Sequence, residues 1–199
     1  LKFQVDAPSS GDEYLGRLTY SIKRKLEIYV QYRSETKERN SPISERLSSL
    51  ANNTRSQLRI NASFKVSKML ELRNRVEWSL NNNSVLVSKG FLIYQDVIVK
   101  PLSFPFSFNA RVAIFETDDY SSRIYAYEND ILNSFSVPPL YNKGVRTYLN
   151  IRYKGLRNIT LEARYALTKY VDLTQIGSGN DLILGNRRSE FKLQVKIGL

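Results

Sequence analysis

The chain has 199 residues, with 30 Lys and Arg against 19 Asp and Glu, a net charge of +11 at neutral pH, 42% apolar residues, and neither His nor Cys. Without those two residue types there is no imidazole general base, no Ser-His-Asp triad, no disulfide and no thiolate metal site, which excludes the familiar hydrolytic and zinc chemistries. No apolar run approaches the ~18 residues of a spanning helix, so any membrane crossing has to be made by strands.

Leu1, Phe3 and Val5 share one face of a short first strand, and the Pro, Ser, Gly and Asp of residues 7–14 form a loop. Leu18, Tyr20 and Ile22 then alternate with polar residues, the basic run Lys23-Arg24-Lys25 turns the chain, and Leu26, Ile28, Val30 and Tyr32 resume the pattern. This is a hairpin by its period of two. Residues 34–56 are polar and mixed in charge, and read as a long loop with a short helix near Ser44 to Leu50. Leu58, Ile60, Ala62, Phe64 and Val66, then Leu70, Leu72, Val76, Trp78 and Leu80, form a second hairpin about Ser67-Lys68, with Asn74 interrupting the apolar face. Gly90 to Lys100 is apolar on both faces around Gln95-Asp96, where a bulge would reconcile the two halves.

After a turn at Pro101 to Pro105, Phe106, Phe108, Ala110, Val112 and Ile114 line one face. Residues 117–144 depart from the pattern, with Tyr120, Tyr125, Tyr127 and Tyr141, and read as a structured loop or hairpin rising above a membrane. Those tyrosines serve either as a recognition surface or as headgroup anchors. Val145 to Tyr153 and Ile159 to Leu167 alternate again about a turn at Gly155-Leu156. A loop over 171–188 leads to the final strand, in which Phe191, Leu193, Val195, Ile197 and Leu199 face one way and Glu190, Lys192, Gln194 and Lys196 the other.

Ten strands result: 1–6, 15–22, 25–34, 57–66, 69–80, 89–100, 104–116, 145–154, 157–170 and 189–199. Short turns alternate with long loops, as in outer-membrane barrels with short periplasmic turns. The expected fold class is therefore all-β, an antiparallel up-and-down transmembrane β-barrel forming a single domain over 1–199, with external loops at 34–56, 117–144 and 171–188. Missing an initiator Met and a signal peptide, the chain is expected to be processed or to be part of a longer one, with its ten strands either the whole barrel or the last ten of a larger one. The last strand stops on its final apolar residue, as expected of a closing strand that pairs with 157–170 on one side and the first strand on the other.

Facing inward are Arg33, Arg59, Lys65, Arg73, Arg75, Arg111, Arg146, Arg152, Arg164, Lys192 and Lys196, against Glu27, Glu71, Glu77, Glu162 and Glu190. They form either an anion-selective lumen or a filled interior in which Arg and Glu cross-pair. Glu13, Glu35, Glu116, Asp118 and Asp119 lie in or beside loops, with no calcium-loop spacing, and read as a solvated acidic rim. No catalytic, metal or cofactor-binding residues are assigned.

The segments GFLIYQDV (90–97), RIYAYENDILNSFSVPPLYNKGVRTYLNIRYK (123–154) and LRNITLEARYA (156–166) resemble the carboxyl-terminal barrel region of Bacteroidota outer-membrane proteins of the helix-hairpin-helix-containing family. That resemblance implies fold and location but no substrate. The expected function is a non-enzymatic outer-membrane barrel of a Gram-negative-type bacterium, acting as a pore or as a structural or accessory subunit of an envelope assembly. Its expected partners are outer-membrane lipid, lipopolysaccharide and other envelope subunits, with no cofactor and no nucleic acid. The competing expectation, prompted by the charge, is a soluble basic β-barrel that binds nucleic acid or other polyanions, with a salt-steep affinity.

Overall fold

The computed structural model describes residue 5, residues 7–40 and residues 50–198. In chain order the strands are β1 (Gly11–Ile22), β2 (Leu26–Asn40), β3 (Leu50–Lys65), β4 (Leu70–Asn82), β5 (Val87–Val99), β6 (Phe106–Thr117), β7 (Ile124–Tyr125), β8 (Pro139–Leu140), β9 (Lys143–Leu156), β10 (Ile159–Tyr170), β11 (Gln175–Ile176), β12 (Ile183–Leu184) and β13 (Arg187–Ile197). Nine of them form one antiparallel meander in the order β1, β2, β3, β4, β5, β6, β9, β10, β13, and the two-residue strands pair separately as β7 with β8 and β11 with β12. Each long strand pairs with its sequence neighbour because alternating β-branched, aromatic and polar residues suit a sheet with two different faces.

The expected pairing of the last strand with 157–170 holds, from Ile159 against Ile197 to Lys169 against Arg187. The expected first strand and the helix near Ser44 to Leu50 fall almost wholly outside the described residues, as does Leu199. Several local expectations are corrected. Residues 11–14 are not loop: they open β1, with Gly11 opposite Lys37. Residues 34–40 and 50–56 are not loop: they extend β2 and β3, with Asn40 opposite Leu50. The turn after β9 is Arg157-Asn158 rather than Gly155-Leu156, with Asn158 at φ 60°, a left-handed geometry that Asn tolerates. No bulge breaks β5, whose register runs unshifted from Val87 to Val99 against β4 and from Gly90 to Val99 against β6.

One face of the sheet is apolar. On β6 it runs from Phe106 to Ile114, nine residues, the span of a tilted membrane strand of about 9–11 residues. Aromatic contacts flank this belt. Phe106 packs on Tyr153 at 4.6 Å and Phe104 at 5.2 Å near the short turns, and Trp78 meets Phe91 at 5.8 Å toward the loops. Beyond the belt on the loop side, Lys143 and Glu116 pair at 3.3 Å in solvent. Asn74 sits opposite Gln95 within the belt, and Gln95 quiets its amide by donating to the carbonyls of Arg73 and Asp96.

The other face is polar. Residues 118–142 do not rise above the sheet; they fold back against this polar face, where Ile124, Ala126 and Leu140 join Leu92, Tyr94, Ala113, Phe115, Tyr170 and Ile176 in a small apolar core. Full burial of Ile124 is worth about 1.5–3 kcal/mol relative to leaving it in water, one of several contributions that offset the entropy of ordering the segment.

Candidate functional site: a carboxylate pair locked in a basic ladder

The registers of β6, β9, β10 and β13 bring Arg111, Tyr148, Arg164 and Lys192 onto the polar face in successive strands, Arg111 opposite Tyr148 and Arg164 opposite Lys192. Into this row the folded segment inserts Glu128 and Asp130. Glu128 accepts from Arg146 through Nε at 2.6 Å and Nη2 at 2.9 Å, and from Arg164 Nη2. Asp130 accepts from Lys192 Nζ at 2.7 Å and from Ser134 Oγ at 3.0 Å, and lies 3.7 Å from Arg164 Nε. Both carboxylates are buried.

Burial pushes the Asp130 carboxyl up, but Lys192, the backbone N–H of Ile131, Arg164 and Ser134 together hold it below the usual carboxylate range. Removing water from two carboxylates is costly unless each is paired and hydrogen-bonded, and here each is both. The backbone of the segment is held as well. Arg111 Nη1 donates to the Tyr127 carbonyl at 2.7 Å, Asn150 donates to that of Asn129 at 2.7 Å, and the Leu132 N–H donates to Glu162 at 2.8 Å. Aromatic rings fill the gaps, with Arg111 3.6 Å from the Tyr94 ring centre and Arg164 4.5 Å from that of Tyr148.

Both ends of the segment are clamped, the far end by the Asn142 N–H, which donates to Thr117 Oγ1 at 2.8 Å. Asp119 caps a 3-10 turn at Tyr120–Ser122 by accepting from the Ser121 and Ser122 N–H groups, and it also accepts from Ser88 Oγ at 2.6 Å. Burial pushes this carboxyl up, and the Ser88, Ser121 and Ser122 donors bring it below its ordinary value. Asp118 accepts from the Lys89 N–H at 2.8 Å. Of the other acidic rim residues, Glu13 pairs with Arg33 at 2.9 Å and Glu116 with Lys143. Among the described residues no three or more Asp and Glu side chains converge as a metal site would require.

Of the residues expected to face inward, Arg111, Arg146, Arg164 and Lys192 meet in this one network. Arg59 and Arg75 share the buried Glu77 at 2.8 and 3.7 Å. Arg73 pairs with Glu71 at 2.7 Å and Arg152 with Glu162 at 2.8 Å. Lys65 and Lys196 lie exposed near the short turns, outside the network. On the opposite face Phe191, Leu193, Val195 and Ile197 are all exposed. Three central carboxylates escaped the sequence reading: Asp96, bonded to Arg111 through both oxygens at 2.5 and 2.7 Å, Glu128 and Asp130. Asp96 was hidden by the supposed bulge. The other two sit where no periodicity operates.

No protein-family model, curated protein or solved structure matches the chain.

Proposed function

We propose that the chain is an integral outer-membrane β-barrel protein of Gram-negative type, non-enzymatic, serving as a structural or accessory subunit of an envelope assembly, its interior filled in part by residues 118–142. One observation carries this reading: the polarity of the sheet is inverted. Arg111 and Arg164 on one face are buried, while Phe191, Leu193 and Leu18 on the other are 67%, 65% and 78% exposed. Soluble proteins seldom leave a continuous apolar face of many strands to water, whereas hydrocarbon is the natural solvent for one. The belt of nine residues and its flanking aromatic pairs fit the same solvent, and the resemblance to Bacteroidota outer-membrane proteins points the same way. Outer-membrane lipid and lipopolysaccharide are then the partners of the apolar face.

A filled interior is favoured over an open anion-selective lumen because the inward cations are mostly neutralised by carboxylates. The soluble, polyanion-binding alternative rests on the net charge alone and leaves the apolar face without a partner.

Heat-modifiable migration and residence in detergent-extracted outer membrane are expected, and a monomer that stays dispersed without detergent would sink the proposal. Planar-bilayer recordings should show little steady conductance. Val195→Arg is expected to cost about 2–4 kcal/mol of insertion stability and Gln194→Arg, on the polar face, far less, read by folding into liposomes. Equal costs would contradict the assignment of faces.

A further inference from the structure

Nearly every inward arginine has a carboxylate within reach. Arg55 does not. Among the described residues it makes no ion pair; one Nη donates to the carbonyl of Arg123, and its Nε is shut off from solvent with no partner. Arg123 likewise has no carboxylate. Its Nε donates to the Tyr125 hydroxyl at 2.7 Å, its Nη1 to the Tyr120 carbonyl at 2.7 Å, and its guanidinium stacks on the Tyr120 ring at 4.2 Å. The two like charges repel one another across this contact. Glu35, opposite Arg55 and at the wall of the same cavity, is taken by Arg33 and Lys37, and Glu77, whose field also reaches Arg55, is held by Arg59 and Arg75.

Both guanidiniums line a cavity of about 500 Å³ at the loop end of β2, β3 and β4. Asn53, Asn81 and Ser121 line it too, and the Asn53 side-chain oxygen is buried without a hydrogen-bond partner. An amide can turn to offer either its oxygen or its nitrogen. The cavity thus combines uncompensated positive charge, planar donors and spare polar atoms, and it opens on the polar side of the sheet, away from the apolar belt.

We infer that this cavity is a binding site for a soluble, hydroxylated oxyanion, a sugar phosphate or sugar carboxylate, held by Arg55 and Arg123 with the Asn and Ser side chains on its hydroxyl groups. Guanidinium is the side-chain group best matched to phosphate and carboxylate, because two parallel N–H donors meet two oxygens. The anion supplies the negative charge this corner lacks and gives the Arg55 Nε a partner. The site stands independently of whether the apolar face meets lipid.

The test is calorimetric titration of the full chain in neutral detergent with glucose 6-phosphate, inorganic phosphate and glucose. Glucose 6-phosphate is expected to bind and to be displaced by inorganic phosphate, with glucose silent. Arg55→Gln and, as a second variant, Arg123→Gln should each weaken binding about tenfold to a hundredfold, the loss of charge-assisted hydrogen bonds. Arg152→Gln, beside the short turns, should leave the affinity unchanged. Equal heats from glucose and its phosphate, undiminished affinity in both variants, or displacement by phosphatidylglycerol but not by inorganic phosphate would each overturn the inference, the last by assigning the site to a lipid headgroup.

Discussion

The two sides of the sheet's polar face are built differently. Along β5, β6, β9 and β10 every second residue toward the loops is buried, because residues 118–142 lie over them. Along β1 and β3 no residue is buried, and β2 buries only Gln31. Both sides have charged inward residues, yet the buried ion pairs that hold the segment all lie on the covered side, and the other side reaches it through Arg55 alone, by a hydrogen bond to the Arg123 carbonyl. The same Arg-Glu vocabulary is therefore structural glue on one side and a hydrated surface on the other. What separates them is water, since a pair stripped of solvent must be complete or it destabilises, while an exposed pair is screened.

Breaking one pair on each side should expose this difference most strongly. Glu128→Ala leaves Arg146 and Arg164 buried without their shared carboxylate and should cost about 3–5 kcal/mol. Glu13→Ala, which frees only the exposed Arg33, should leave the denaturation midpoint where it stands. Comparable losses would erase the distinction between the two sides.

Two glycines provide a second paired test. A Cβ at Gly90 would strike the carbonyl oxygen of Ser122 and lie 3.2 Å from Thr117, whereas a Cβ at Gly16 on β1 meets nothing within 4 Å. Gly90→Val should cost about 1–3 kcal/mol by overpacking, with faster amide exchange at Ser121 and Ser122. Gly16→Val should be neutral or mildly stabilising, because valine suits a strand better than glycine.

Acidification should act mainly on the covered side, because Glu13, the lowered carboxyl of β1, is exposed and its pair with Arg33 is screened by solvent. A carboxylate whose folded pKa lies below its unfolded value, about 3.9, contributes stability that is complete above the unfolded value and is lost as pH falls through the folded one. Asp130 is such a group. Limited proteolysis within 123–134 should accelerate as pH drops below about 4, and Asp130→Asn should flatten that profile. The smallest effect belongs to the turn between β1 and β2, where Arg24 holds φ 63°. Arg24→Gly should stabilise by up to about 1 kcal/mol, without altering exchange in residues 118–142.

Strand identity and facing were legible because the alternation of Leu26 to Tyr32 or Phe191 to Ile197 reports directly which face of the sheet is apolar. Strand ends were not. From Ser34 to Asn40 both faces are polar, so apolar periodicity is silent although the ladder continues. In β5 the signal was present but misread. Leu92, Tyr94 and Ile98 are apolar on the inner side, the mark of a strand covered on both faces rather than of a bulge. Glu128 and Asp130 could be anticipated only indirectly, because eleven inward bases outnumbered five inward acids and the balance had to come from elsewhere.

The covering segment runs between β6 and β9, which are themselves paired from Phe106–Tyr153 to Glu116–Lys143. Both of its ends are thus anchored within one hairpin, so an undocked segment cannot diffuse away. Its effective concentration at the basic row would be of the order of millimolar or higher, as for any short flexible tether, so redocking is a one-molecule event that dilution cannot oppose. A partner that draws this segment outward would therefore compete against a receptor the protein carries permanently beside it.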